Sequence, residues 1–154
     1  MKKLSSLIVV VLICIIALSA CSKEQTKTYE GDVNGKHVLT SITYKDDKVL
    51  KQSTINTIKY DDLGISKDEA KKLFAKTEDI FKDLKGAKYK VDYKDKKAIE
   101  HLDINYKEVD MKELNKRFGV SSKDSKDNKY LSFEKVEKQL KHSGLKEKDK
   151  MDDK

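Results

Sequence analysis

Only two cysteines occur among the 154 residues, and neither is placed to cross-link a folded body. Cys14 lies inside an apolar run and Cys21 just behind it, so a domain downstream has no thiol for a disulfide, a zinc site or a nucleophile. Such a domain must cohere by packing alone. Three histidines, His37, His101 and His142, have no histidine or cysteine partner at metal-ligand spacing, which leaves no metal site to assign. Six glycines form no run that would cradle a phosphate, and no serine sits in a hydrolase elbow. Asp46-Asp47 and the stretch Asp124 to Asp127 lack the aspartate ladder, central glycine and terminal glutamate of a calcium loop. Long apolar runs are scarce too. The single one, Leu7 to Leu18, is about a dozen residues, against roughly 20 needed to span a bilayer as a helix.

That short run has an export logic of its own. Lys2 and Lys3 precede it, and Leu18-Ser19-Ala20-Cys21 closes it with small residues that fit a peptidase site. A leucine three places before a cysteine, with two small residues between, resembles the bacterial lipoprotein box. The resemblance implies a diacylglycerol thioether on Cys21, followed by cleavage that makes Cys21 the first mature residue. Two acyl chains anchor stably where one holds only marginally. Residues 1–20 are therefore expected to be a signal peptide, and the partner of Cys21 to be membrane lipid.

Removing residues 1–20 leaves 134, enough for one domain. The formal charge of +7 falls to +5 when Lys2 and Lys3 leave. Acidic residues are interleaved with the basic ones, and no basic stripe or nucleic-acid motif is present, which argues against a nucleic-acid partner. The mild excess favours a well-solvated surface with weak attraction to anionic envelope polymers or headgroups. Residues 21–27 read as a lipidated tether, 28–145 as a single α+β domain, and 146–154, almost wholly charged, as a disordered tail.

Within the domain, hairpin patterns alternate with helix patterns. Thr28 to Val33 and Lys36 to Tyr44 flank Asn34-Gly35, a dipeptide that accepts the positive φ angles of a tight turn. Val49 to Tyr60 is β-branched and reads as a third, bulged strand. Tyr89, Val91 and Tyr93, then Leu102, Ile104 and Tyr106, alternate as a second hairpin. Ser66 and Glu69 form a capping box for a helix carrying Ala70, Phe74 and Phe81 and stopped by Gly86. Asp110 with Glu113 opens a short helix ending at Phe118-Gly119. Ser132 opens another, with Leu131 stapled on Val136 and Gly144 at its end. Ser121 to Asn128 is a polar loop.

An echo organises the middle of the chain. Ile42 to Asp61 lies on Val91 to Asp110 at a constant offset of 49 residues, with Tyr44-Lys45-Asp46 matching Tyr93-Lys94-Asp95. Each copy is strand, turn, strand, capped helix. The expected architecture is an antiparallel sheet built from hairpins with helices on one face, with a possible duplicated ββα unit. The matched turns, Tyr44 with Lys45 and Tyr93 with Lys94, are the candidate ligand surface, because tyrosines beside lysines stack on sugars and bind anions. Alternation offers the plainer reading of tyrosines as the rim of the core, hydroxyl to water. No catalytic residue, cofactor site or metal site emerges.

These pieces together resemble a known family. The lipobox, the opening Tyr29-Glu30-Gly31-Asp32-Val33-Asn34-Gly35, the hairpin Thr43-Tyr44-Lys45-Asp46-Asp47-Lys48-Val49 running into Lys51-Gln52-Ser53-Thr54, the helix after Asp62-Leu63-Gly64-Ile65, and Tyr93-Lys94-Asp95-Lys96-Lys97-Ala98-Ile99 are similar to the YehR-like family of small bacterial lipoproteins, the DUF1307 domain. The resemblance spans roughly Cys21 to Leu145. It implies an anchored α+β envelope protein and transfers only Cys21 as a modified residue. Two classes stay open: a noncatalytic module that binds a small solute, peptide or anionic envelope polymer, and an enzyme or accessory with a carboxylate or tyrosine site. A buried carboxylate pair in a cleft would favour the second.

Overall fold

Alternation of apolar and polar residues drives the strands, and the turns between them set their register. In the computed structural model, which describes residues 23–117 and 130–151, Gln25–Val33 (β1) and Lys36–Lys45 (β2) are joined through Asn34 and Gly35, both at positive φ. Lys48–Lys59 (β3) follows, and a register shift places Thr43 opposite Lys51 but Tyr44 opposite Val49, so Leu50 is the extra residue of a bulge. Ala87–Tyr93 (β4) and Lys97–Asn105 (β5) make the second hairpin. A short strand, Lys146–Lys148 (β6), pairs with β1, and the six strands run in the order β4-β5-β3-β2-β1-β6, with every pairing antiparallel.

Two expected boundaries move. Gln25 to Lys27 belong to β1 rather than to a tether, and Lys146 to Lys148 belong to β6 rather than to a disordered tail. In both segments charged side chains find partners on neighbouring elements: Lys27 bonds Glu137 and Glu147, and Lys148 bonds Glu30. Cys21, Phe118, Gly119 and the polar loop Ser121 to Asn128 lie outside the described residues.

Among the described residues four helices lie on one face. A single turn, Tyr60–Leu63 (α1), leads through Gly64 to Lys67–Phe81 (α2), whose N-cap Ser66 and Glu69 form the expected capping box. The stop differs from expectation. Lys82 caps α2 and Asp83 takes the positive φ, while Gly86 opens β4, its carbonyl accepting from Asn105. Met111–Arg117 (α3) starts at Asp110, whose carboxylate accepts from the amides of Lys112 and Glu113. Phe133–His142 (α4) is capped by Ser132 and by the Asp47 carboxylate, which accepts from the Glu134 amide.

Three apolar clusters join helices to sheet. Phe74 and Ala70 of α2 pack on Ile58 and Ala98; Phe81 and Leu114 pack on Ile104; Phe133 packs on Ile42, Tyr44 and Val49. Leu131 and Val136 both join the last cluster, as the staple requires. Between the clusters the covered face is polar but satisfied. Thr40 and Thr54 share a hydrogen bond of 2.8 Å, Gln52 links Thr54 to the Tyr106 hydroxyl, and no buried side-chain polar atom among the described residues lacks a partner. Gly86 is the tightest backbone approach: an added Cβ would stand 2.7 Å from the Val109 nitrogen, at a φ of +80°. Gly86→Ala should therefore lower unfolding free energy by about 2 kcal/mol or more. Denaturant titration checks this, and an unchanged midpoint would contradict it.

Candidate functional site

The pairing of β3 with β5 decides where the candidate residues go. Ser53 stands opposite Asp103 and Thr54 opposite Leu102, so the β2–β3 and β4–β5 hairpins are joined through antiparallel β3 and β5 and run head to tail. The 49-residue echo holds at the two turns, where Tyr44 faces Val49 as Tyr93 faces Ala98, and beyond the Leu50 bulge it falls out of phase, matching outward Ser53 with helix-facing Leu102. The consequence is separation. From Val49 to Ile58, the β3 neighbour of Ala98, the strand runs about 30 Å, so Tyr44-Lys45 and Tyr93-Lys94 lie at opposite poles of the sheet and form no common surface.

Both tyrosines face the helices. Tyr44 is buried, stacked on Phe133 with ring centroids 3.6 Å apart, and its hydroxyl donates to Gln25 at 2.8 Å. Tyr93 is half-buried against Phe74 at 6.3 Å. Tyr29, Tyr60, Tyr89 and Tyr106 also anchor the core, each hydroxyl donating to a protein acceptor. Burial pushes Tyr106 up to about 12 and also raises Tyr89 and Tyr29, each helped by a bonded carboxylate. The alternation suggests a core rim with each hydroxyl in water; instead the hydroxyls of Tyr29, Tyr44, Tyr60, Tyr89 and Tyr106 all donate to protein acceptors, because polar partners on α4, the strands and the β4–β5 turn reach them.

Two carboxylates are held by the core. Glu100, 4% exposed, accepts from Tyr89 on one oxygen and from Asn56 and Lys36 on the other. It is the one buried carboxylate among the described residues, and no second carboxylate joins it. On α4, Glu137 accepts from the Tyr29 hydroxyl at 2.6 Å and from Lys27 and Lys141, both at 3.0 Å, which holds its carboxyl down at about 2. No group of three or more metal-ligating side chains occurs among the described residues, and no described helix is long and apolar enough to cross a membrane.

Sequence reasoning passed over the other face of the sheet, which none of the described helices covers. Strand register sets Thr28, Ser41, Ser53, Asp103 and Lys88 in one row across five strands, with Thr26, Thr43, Lys51 and Asn105 in the next. These side chains are short or polar. The bulkier Leu39, Ile55, His101 and Lys90 form the row beyond them. Between β2 and β4 the result is an open trench of about 490 Å³, lined by Ser41, Thr43, Lys51, Ser53, Lys88, Asp103, Asn105 and Glu108. Ser53 donates to Asp103 at 2.6 Å and Thr28 shares a 2.6 Å bond with Ser41, so the floor is prearranged. Among the described residues Lys51 and Lys88 have no carboxylate at ion-pair distance, whereas Glu30, Asp32 and Asp92 are engaged with Lys148, His37, Lys90 and His101. The signal that marks this face is the polar half of each strand's alternation, legible once the register is known.

Comparison with known proteins was decisive for kinship. Residues 25–146 match the family described as protein of unknown function DUF1307. The chain belongs to the DUF1307 family. Its relatives include an uncharacterised lipoprotein of Listeria monocytogenes, Lmo0207, 40% identical over 149 residues covering 96% of this chain and 97% of the relative. The uncharacterised lipoprotein YehR of Escherichia coli is 33% identical over 150 residues, covering 95% and 96%. The solved solution structure of E. coli YehR superposes with a TM-score of 0.65 at 32% identity, over 82% of this chain and 91% of that one. Matches that long extend into the apolar leader as well as the domain. This DUF1307 protein is a lipoprotein, lipid-anchored outside the cytoplasm.

The electrostatics of the DUF1307 body yield a pH prediction. The Glu137 carboxyl is depressed from 4.5 to about 2 by Tyr29, Lys27 and Lys141, so its stabilisation is fully present above pH 4.5 and is lost as pH falls from there through about 2. With a side chain 20% exposed, screening reduces the contribution to about 2 kcal/mol. Glu137→Gln should flatten the acid limb of stability across that window, measured by denaturant midpoints against pH. An unchanged slope would refute the assignment.

Proposed function

We propose that this DUF1307 lipoprotein is a noncatalytic binding module that presents the sheet face left open by the described helices to an anionic, hydroxyl-rich envelope polymer. The observation that carries the reading is the trench. Its floor offers hydroxyls and an amide at strand intervals of about 4.8 Å, a pitch suited to the repeating polar groups of an extended polyol or glycan. Its cations, Lys51 and Lys88, are uncommitted to carboxylates among the described residues. Away from the β2–β3 turn, the strands place Lys51, Lys59, Lys88, Lys90, Lys97, Lys146 and Lys148 on this face against Glu30, Asp32, Asp92 and Asp103, seven against four. Glu108 also lines the trench, which leaves this face a net +2 of the mature chain's +5, and that excess attracts a polyanion most strongly at low ionic strength.

The anchor in this reading is a diacylglycerol thioether on Cys21, formed at the lipobox before the signal peptide is cut. Lipid holds the module at its surface and leaves the sheet face for the ligand. Catalysis draws less support, because Glu100 is enclosed with both oxygens bonded and stands without the second carboxylate that acid–base work on a glycosidic bond uses.

Titration of the mature protein in mild detergent with anionic and neutral polysaccharides, followed by thermal shift, tests the binding. A salt-sensitive rise in melting temperature with the anionic polymer is expected, and Lys51→Glu with Lys88→Glu should abolish it without lowering the unliganded midpoint. Binding that survives the double substitution would exclude the trench. Mass spectrometry of the natural product should find the diacylglyceryl group on Cys21, and Cys21→Ala should release a folded protein into the aqueous phase.

A further inference from the structure

The end of the sheet from which β1 starts is built to sit on the bilayer. Only Ser22, Lys23 and Glu24 separate Cys21 from β1. Glu24 is itself fastened to the body by Lys107, on the turn after β5, at 2.9 Å. Three residue steps from Cys21 to Glu24 reach about 10 Å, so an anchor at Cys21 keeps this pole close to the headgroups. Register identifies what else stands there. Gln25 is opposite Tyr44, so the β2–β3 turn, Lys45 to Lys48, lies beside the start of β1.

Tyr130 is at the same pole. Its neighbour Leu131 accepts a hydrogen bond from the Val49 amide, Ser132 bridges to Lys48, and Tyr130 itself lines a hollow with Lys45, Asp46, Lys48 and Leu50. At 48% exposure it is one of two large hydrophobic residues left in solvent among the described residues. An exposed tyrosine flanked by lysines is the side-chain set found at membrane–water interfaces, where the ring sits among headgroups and ammonium groups meet phosphates. The nearby carboxylates are mostly engaged: Glu24 with Lys107, Asp47 with the α4 amides. Among the described residues Asp46 is the carboxylate of this hollow without a bonded partner, while Asp47, and Glu24 near Lys45, are bonded elsewhere.

We infer that this pole, with Tyr130 at its tip and Lys23, Lys45 and Lys48 around it, is a docking surface for the anionic headgroups of the bilayer that holds the protein. Docking sets the strands upright on the membrane. The Thr26–Asn105 row of the trench then lies nearest the headgroups, and the Tyr93-Lys94 turn points outward about 30 Å away. The inference rests on lipidation at Cys21 but not on the trench having a ligand.

The chain has no tryptophan, so a single introduced indole reports its own depth. The full lipidated protein carrying Tyr130→Trp, or Lys94→Trp at the far pole, is reconstituted into vesicles of brominated phosphatidylcholine with or without phosphatidylglycerol, and flotation is measured beside quenching. Several-fold stronger quenching of Tyr130→Trp than of Lys94→Trp is expected. Adding Lys45→Glu and Lys48→Glu should weaken it in phosphatidylglycerol vesicles by about fivefold per lysine, with flotation unchanged. Equal quenching at the two poles, or quenching indifferent to those lysines, overturns the docking surface while leaving the anchor standing. Wild-type protein that fails to float with the vesicles overturns anchor and docking together.

Discussion

The antiparallel register between β3 and β5 is the constraint from which the rest of the molecule follows. Pairing Thr54 with Leu102 sets the two hairpins head to tail, so equivalent turns point to opposite poles. It also aligns the alternation of five strands, putting Tyr44, Ile42, Ile58, Ala98, Ile104 and Tyr89 on one side and Ser41, Ser53, Asp103, Lys51 and Lys88 on the other. A slip of one residue would exchange these faces. The bulge at Leu50 does so deliberately at one point, letting Val49 join the cluster under Phe133 while Lys51 stays on the open face.

Covering one face of a six-stranded sheet with few aromatic residues creates a packing problem, because the helices do not supply an apolar partner for every position. The chain answers with satisfied polar groups. Glu100, Asn56 and Tyr89 form one knot, and Thr40, Thr54, Gln52 and Tyr106 another. Buried polar groups of this kind add little net stability when bonded but cost heavily when a partner is removed, so they enforce this register against alternatives. Tyr29 and Glu137 tie α4 to the sheet's other end in the same way. In a body without disulfides, such knots do part of the work of specifying one structure.

The open face and the anchored pole divide the remaining labour. An antiparallel sheet can leave one side to water, and this one leaves a side whose lysines outnumber its carboxylates and whose floor is hydroxyl-rich. The proposed pole follows from chain length: β1 begins four residues after Cys21, so lipid on that cysteine would give the body little freedom to leave the surface. The proposed ligand face and the proposed membrane-facing pole thus stand at right angles.

Much of this was legible in the sequence. Asn34-Gly35, the Ser66–Glu69 box, Ser132 and the period-two runs fixed hairpins, helix starts and the α+β class, because turn chemistry, capping and alternation act between residues close in the chain. The leader and Cys21 are likewise linear signals. The echo correctly paired Tyr44 with Tyr93, yet it could not say whether equivalent turns meet or oppose, since that depends on which strand lies beside which. Lys146 to Lys148 looked like solvent-borne charge until Glu30 and β1 were brought next to it, and the trench had no sequence signature because its residues come from four strands. Local interactions determined the elements and the address; long-range strand pairing, which no local pattern encodes, decided which side chains share a surface and therefore where a ligand and a membrane have room to bind.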